Sequence, residues 1–131
     1  MRFVDSSFWI GLQIRDDQHH VAARALWSAE RETMLTTNHV VGESWTFLRR
    51  RQGYLAARNF LDSVERSSRI TMLHVDEETE REAWAWLRRH DERVYSFVDA
   101  TSFAVMRRLG IFEALAFDGD FSAAGFVEVR P

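Results

Sequence analysis

Residues 2–13 read Arg2-Phe3-Val4-Asp5-Ser6-Ser7-Phe8-Trp9-Ile10-Gly11-Leu12-Gln13. Two apolar residues closed by an acid predict a short buried strand over 2–5. Ser6 and Ser7 have hydroxyls that accept from the free N–H groups of a first helical turn, so they predict a capped, apolar helix from Phe8 to Gln13. A strand that runs straight into a helix is the building unit of an α/β sheet, and here a carboxylate marks the junction.

The unit recurs along the chain. Asp16-Asp17 opens a second helix to about Ala29, with Val21, Ala25 and Leu26 on one face. Residues 33–36 (TMLT) predict a second strand. Thr37 or Asn38 then caps a third helix that ends near Arg49-Arg50-Arg51, where cations suit the C-terminal dipole, and Gly53 breaks it. A fourth helix runs from Tyr54 to about Arg66, with Leu55, Phe60, Leu61 and Val64 as core candidates, and residues 69–75 (RITMLHV) predict a third strand. Asp76-Glu77-Glu78 starts a fifth helix ending at Arg88-Arg89-His90, and Ser96-Phe97-Val98-Asp99 opens a sixth that Gly110 stops after Leu109. Residues 113–117 (EALAF) predict a fourth strand, Asp118-Gly119-Asp120 a turn, and 126–130 (FVEVR) a last strand. This alternation implies an α/β fold of three layers, α/β/α, with a mainly parallel sheet of four to five strands flanked by helices.

The bulk properties narrow the function. At 131 residues and 46% hydrophobic, the chain fits a single domain, 1–131, with one real core. The absence of cysteine excludes a disulfide scaffold, a thiolate metal site and a thiol nucleophile, and suits a reducing, cytoplasmic setting. No apolar run approaches the ~20 residues that span a bilayer, and the N-terminus does not read as a signal peptide, so no membrane role is expected. All 17 basic residues are arginine, which removes P-loop and Schiff-base chemistry and counts against haloacid-dehalogenase phosphatases and response-regulator receivers, both of which need a lysine. With a net charge of −3, binding to a polyanion requires local basic patches or bound cations.

Four carboxylates stand at strand ends or in early helix turns, where open parallel sheets gather their sites. Asp5 ends strand one, Glu43 lies in the first turns of helix three, Asp99 in the first turn of helix six, and Asp118 ends strand four. Each has an ordinary structural alternative. Asp5 could cap the next helix, Asp99 could form a capping box with Ser96, Asp118-Gly119 is a good turn pair with Asp120 able to share that role, and Glu43 could be a solvated helix residue. Converging carboxylates raise each other's pKa and become favourable with a hard cation. Mg²⁺ or Mn²⁺ prefers oxygen ligands, and two such ions about 4 Å apart can activate water and stabilise the leaving oxygen of a phosphodiester.

Val4-Asp5-Ser6-Ser7, Val41-Gly42-Glu43, Ser96-Phe97-Val98-Asp99-Ala100 running into Ala104-Val105-Met106-Arg107-Arg108-Leu109-Gly110, and Ala116-Phe117-Asp118-Gly119-Asp120-Phe121 resemble, in order and spacing, the four motifs of PIN domains. Within that family the chain looks most like the VapC-type toxins of toxin–antitoxin pairs. The resemblance implies a Mg²⁺- or Mn²⁺-dependent endoribonuclease using one or two ions and leaving 5′-phosphate and 3′-hydroxyl ends. It also implies a homodimer and a cognate antitoxin that inserts a C-terminal segment into the acidic cleft. It places Asp5, Glu43, Asp99 and Asp118 on the family's acidic positions, with Ser6 or Ser7 supporting the first aspartate and Asp120 a rival to Asp118. Val98 departs from the threonine often found before the third acid. The alternative is a PIN-like RNA-binding or protein-interaction module without turnover.

The remaining features read as structural. His19-His20 point ~100° apart on a helix and share no ligand face. His39, His74 and His90 are isolated. Arg49-Arg50-Arg51 and Arg107-Arg108 complement helix ends, with one or two able to face RNA. Of five tryptophans, Trp9, Trp27 and Trp45 fit the core, whereas Trp84 and Trp86, two apart on one helix, cannot both be buried unless a partner covers one.

Overall fold

The computed structural model describes residues 1–131. Five strands, β1 (Phe3–Val4), β2 (Met34–Thr37), β3 (Ile70–Leu73), β4 (Glu113–Leu115) and β5 (Val127–Glu128), form one sheet in the order β3-β2-β1-β4-β5. Every pairing is parallel: Phe3 lies opposite Leu35 on one side and Ala114 on the other. The chain steps outward from β1 through β2 to β3, then crosses back to β4 and β5. The strand order therefore reverses between β1 and β4, and the carboxyl ends flanking such a reversal form a natural crevice.

Seven helices flank the sheet: α1 (Ser6–Gln13), α2 (His20–Ala29), α3 (Asn38–Gln52), α4 (Tyr54–Arg66), α5 (Glu77–Arg88), α6 (Phe97–Leu109) and α7 (Asp120–Ala123). α1 packs on α2 and α3, α3 on α4, and α5 on α6. β1 and β2 are wholly buried, and the edge strands β3 and β5 are not, as expected when helices cover the middle of a parallel sheet. A core cluster of 26 residues joins the sheet to the helices. Phe103 on α6 sits at its centre, edge-on to Trp86 at 5.2 Å and to Phe121 at 5.0 Å. No helix is long and apolar enough to cross a membrane.

Several local expectations need correction. Ser6 and Ser7 are the first residues of α1, not its caps; Asp5 is the N-cap, accepting from the Ser7 backbone N–H. α2 starts at His20 because Asp17 turns the chain first, its carboxylate accepting from the His19 N–H at 2.8 Å. Val21 and Ala25 face solvent, and the buried face of α2 is Ala23 and Leu26. Leu55 is likewise exposed, and Ala57, Phe60 and Val64 are the buried residues of α4. In both helices alanine stands on two sides of a short apolar window, which leaves the stripe undefined by pattern alone. Trp9 is buried, whereas Trp27 and Trp45 are only partly so. Trp86 is buried and Trp84 half exposed, as their spacing requires. The turn expected at 118–120 leads into α7, which at four residues is too short for periodicity to reveal.

Candidate active site

The reversal point of the sheet is lined by carboxylates. Asp5 leaves β1 directly, and its backbone N–H donates to the Leu115 carbonyl of β4 at 3.1 Å, which locks the two strand ends together. Asp5 is 1% exposed. Its Oδ2 accepts from the Ser7 N–H at 3.1 Å and from the Ser7 hydroxyl at 2.8 Å, while Oδ1 is buried without any hydrogen-bond partner. Ser7 Oγ accepts in turn from the Phe117 N–H at 3.0 Å, so one serine ties the first acid to the residue before Asp118.

Asp99 comes from the start of α6. Ser96 and Asp99 form a reciprocal capping box, with Asp99 Oδ2 accepting from the Ser96 N–H at 3.0 Å. The box orients the carboxylate without using both oxygens, so the structural role and the site role coexist. Asp118 follows β4 on a turn that Gly119 makes at φ 83°, a left-handed conformation that favours glycine. Asp118 Oδ1 accepts from the Asp120 N–H at 3.2 Å. Ligand oxygens of Asp99, Asp118 and Asp120 lie within 4.8 Å of one another.

Asp5 is not among these three, and Glu43 also lies outside the trio. It is exposed on α3 and is tied to the start of α1 by the Ser6 hydroxyl, which donates to its Oε1 at 2.5 Å. The two serines thus divide the work: Ser7 holds Asp5 and Ser6 holds Glu43. Val98 contributes its carbonyl, which accepts from the Thr101 and Ser102 hydroxyls.

Electrostatics mark the cluster as costly on its own. Burial, then the charge of Asp118, pushes Asp5 up to about 8 against the hydrogen bonds from Ser7, and Asp99 adds to the rise. Burial, with the charges of Asp120 and Asp118, pushes Asp99 up to about 6 although Ser96 pulls it down. Asp118, at the solvent-facing mouth but crowded by the cleft walls, is also raised, chiefly by desolvation and then by Asp120 and Glu128. A buried, unpartnered carboxylate oxygen beside other acids is the donor set a hard divalent cation takes. The residues present therefore fit such an ion.

Two contributors were not visible in the sequence. Arg93, in the loop before α6, donates from Nε to Asp120 Oδ1 at 2.6 Å and from Nη2 to the Asp118 carbonyl at 3.1 Å. Glu128, with its side chain 2% exposed, accepts from the Gly119 and Ser122 N–H groups and so braces the same turn. Neither sits in a local pattern; only the tertiary fold brings 93 and 128 to 118–122. Two of the histidines are held by packing and backbone contacts: His19 stacks on Phe117 at 4.5 Å, and His20 Nδ1 meets the Gly11 carbonyl at 2.8 Å.

The chain matches the PIN domain family over residues 2–127 and belongs to that family. Among its relatives is the 23S rRNA-specific endonuclease VapC20 of Mycobacterium tuberculosis, 55% identical over 131 residues, covering 100% of this chain and 99% of that one. A VapC ribonuclease of Archaeoglobus fulgidus is 27% identical over 124 residues, 91% of this chain and 78% of its own length. The crystal structure of the M. tuberculosis protein, described as a sarcin–ricin loop cleaving toxin, superimposes with a TM-score of 0.96 over 100% of both chains at 54% identity. A toxin–antitoxin complex from Klebsiella pneumoniae shares the fold, with a TM-score of 0.69 at 12% identity over 98% of this chain and 97% of the other.

Proposed function

We propose that this chain is a metal-dependent endoribonuclease, the toxin of a toxin–antitoxin pair, that cuts RNA at the crevice between β1 and β4. The observation that carries the reading is Asp5: a fully buried carboxylate with one unsatisfied oxygen, flanked by Asp99 and Asp118, in a chain whose relatives are described as VapC nucleases. Asp5, Asp99 and Asp118 would hold one or two Mg²⁺ or Mn²⁺ ions, with Glu43 completing the set from α3. Asp120 is the weaker candidate for direct contact, because Arg93 already occupies its Oδ1. When bound, such ions supply Lewis-acid activation of water and charge neutralisation at the scissile phosphate.

The chain's own groups prepare that chemistry. Ser7 fixes the Asp5 carboxylate and leaves Oδ1 free. Ser96 fixes Asp99 in the same way, and Glu128 and Gly119 fix the turn that presents Asp118. Holding these acids before substrate arrives removes the cost of reorganising them during reaction. Arg93, bound to Asp120 and to the Asp118 carbonyl, braces the same mouth.

Large-subunit ribosomal RNA is the first substrate to test, given the description of the 55%-identical relative. Purified protein with Mn²⁺ or Mg²⁺ is expected to cleave it to 5′-phosphate and 3′-hydroxyl ends, and Asp99→Ala is expected to abolish cleavage without unfolding the chain. Full activity in Asp99→Ala, or in EDTA, would refute the reading. A homodimer and a cognate antitoxin that covers the acidic cleft complete it; co-purification of a small partner whose removal releases activity tests the latter.

A further inference from the structure

We propose that Trp84 is a base-binding ledge at the rim of the acidic site, taking one unstacked base of an RNA strand whose backbone lies on Arg50 and Arg51. This rests on the ribonuclease reading above and specifies how that site would hold its substrate.

Trp84 is 50% exposed, although its neighbour Trp86 is buried against Phe103 and Tyr95. The core therefore does not use Trp84. Its ring instead lies on Phe97, with centroids 4.1 Å apart and planes 22° from parallel. Phe97 is met edge-on by His39 at 5.7 Å, and His39 is held by Glu80, one turn before Trp84 on α5, at 3.2 Å. Phe97 of α6 thus covers part of the indole and is itself backed by His39 of α3, while half of Trp84 stays open to solvent. A ring held this firmly loses little freedom when a base stacks on it.

The ledge joins the acidic site through α3. Phe97 opens α6 two residues before Asp99, so their side chains leave that turn on nearly opposite sides. His39 lies one turn before Glu43 on α3, so the two share a face. Continuing along α3 past Glu43, an open groove of about 630 Å³ is lined by Thr46, Phe47, Arg50 and Arg51. No acid in the chain pairs with Arg50 or Arg51. By contrast, Arg108 is bound by Glu82, and Arg107 lies over Trp86. Free guanidinium groups along α3 beyond Glu43 and a part-exposed indole beside His39, one turn before Glu43, match a single strand, which is held by phosphate charge and base stacking. An apolar helix from a protein partner would need a broader apolar patch. The exposed neighbours of Trp84 on α5 are instead charged, Arg81 one turn before it and Arg88 one turn after.

The test uses the full chain with Ca²⁺ in place of Mn²⁺, and a single-stranded RNA oligonucleotide carrying 2-aminopurine at successive positions. At one position the wild type is expected to quench the fluorescence. Trp84→Ala is expected to remove that quenching and weaken binding roughly ten-fold or more, with Trp84→Phe restoring most of it. Arg50→Ala and Arg51→Ala are expected to weaken binding at all positions and flatten its salt dependence. Unchanged quenching and affinity in Trp84→Ala would overturn the ledge. So would a shift of that variant from dimer to monomer in sedimentation with RNA affinity unchanged, which would assign Trp84 to a second copy of the chain. Failure of the wild type to cleave any RNA with Mn²⁺ would instead remove the ribonuclease reading itself.

Discussion

Replacing Asp5 by asparagine is expected to stabilise the metal-free protein at alkaline pH while abolishing its activity. The folded protein holds the Asp5 proton up to about pH 8, whereas an ordinary aspartate loses it near 3.8. Between those values the native state binds more protons than the unfolded one, so stability is greatest at the acid end of the window and falls as pH rises through it. At about 1.4 kcal/mol for each pH unit separating the two values, ionising Asp5 alone would cost the fold on the order of 5 kcal/mol. Burial is the largest cause of the shift, and local relaxation and water entry on ionisation relieve part of that penalty, so about 2–3 kcal/mol is taken as what the single substitution recovers. The substituted amide keeps an oxygen for the Ser7 N–H and places an NH₂ group where the unpartnered oxygen was, facing acids that can accept from it. For a chain of this length about 2–3 kcal/mol corresponds to a melting temperature roughly 7–15 °C higher. Thermal melts in EDTA at pH 5.5 and pH 8 check this: the wild type should lose stability between them and Asp5→Asn should lose less. Mn²⁺ should stabilise the wild type at pH 8 and leave the variant nearly unmoved. A variant that melts lower than the wild type at pH 8, or a wild type insensitive to pH over this range, would refute the assignment of Asp5 as a strained, ion-seeking carboxylate.

Other expectations follow from the same geometry. Asp118→Asn should reduce RNA cleavage by two orders of magnitude or more, whereas Asp120→Asn should stay within about ten-fold of the wild type, because Arg93 already engages that carboxylate; single-turnover rates distinguish them. Ser6→Ala removes the hydroxyl that holds Glu43 and should lower cleavage several-fold while costing about 1 kcal/mol in urea unfolding. Phe103→Ala, at the centre of the aromatic core, should cost about 3–5 kcal/mol by the same measurement.

Long, strongly signalled elements were legible in the sequence. α4 runs from Tyr54 to Arg66 and α6 stops at Leu109 before Gly110, as the breakers imply, because caps and glycines act within a few residues of the position they control. The sheet class followed from alternation alone. The faces of α2 and α4 were less legible, since Val21 and Leu55 are apolar yet find nothing to pack against. At the site, the structure brings Asp99 and Asp118 together and couples both to Asp5, while Glu43 reaches the group only through Ser6. That two serines would serve two different acids depends on side-chain direction at the first turn of α1, which spacing does not specify. Arg93 and Glu128 were invisible because their roles arise entirely from contacts made across the fold.

β1 precedes the other four strands in the chain and is the middle strand of the finished sheet. Phe3 must wait for Ala114 to arrive before its second edge is paired, and Asp5 waits equally for Asp118. During synthesis the nascent chain can assemble β1, β2 and β3, but the crevice has no second wall until β4 has left the ribosome. Pairings this distant in sequence close late and slowly. A growing chain of this kind therefore emerges without a finished site, and a product stalled before β4 would lack the wall of the crevice that carries Asp118.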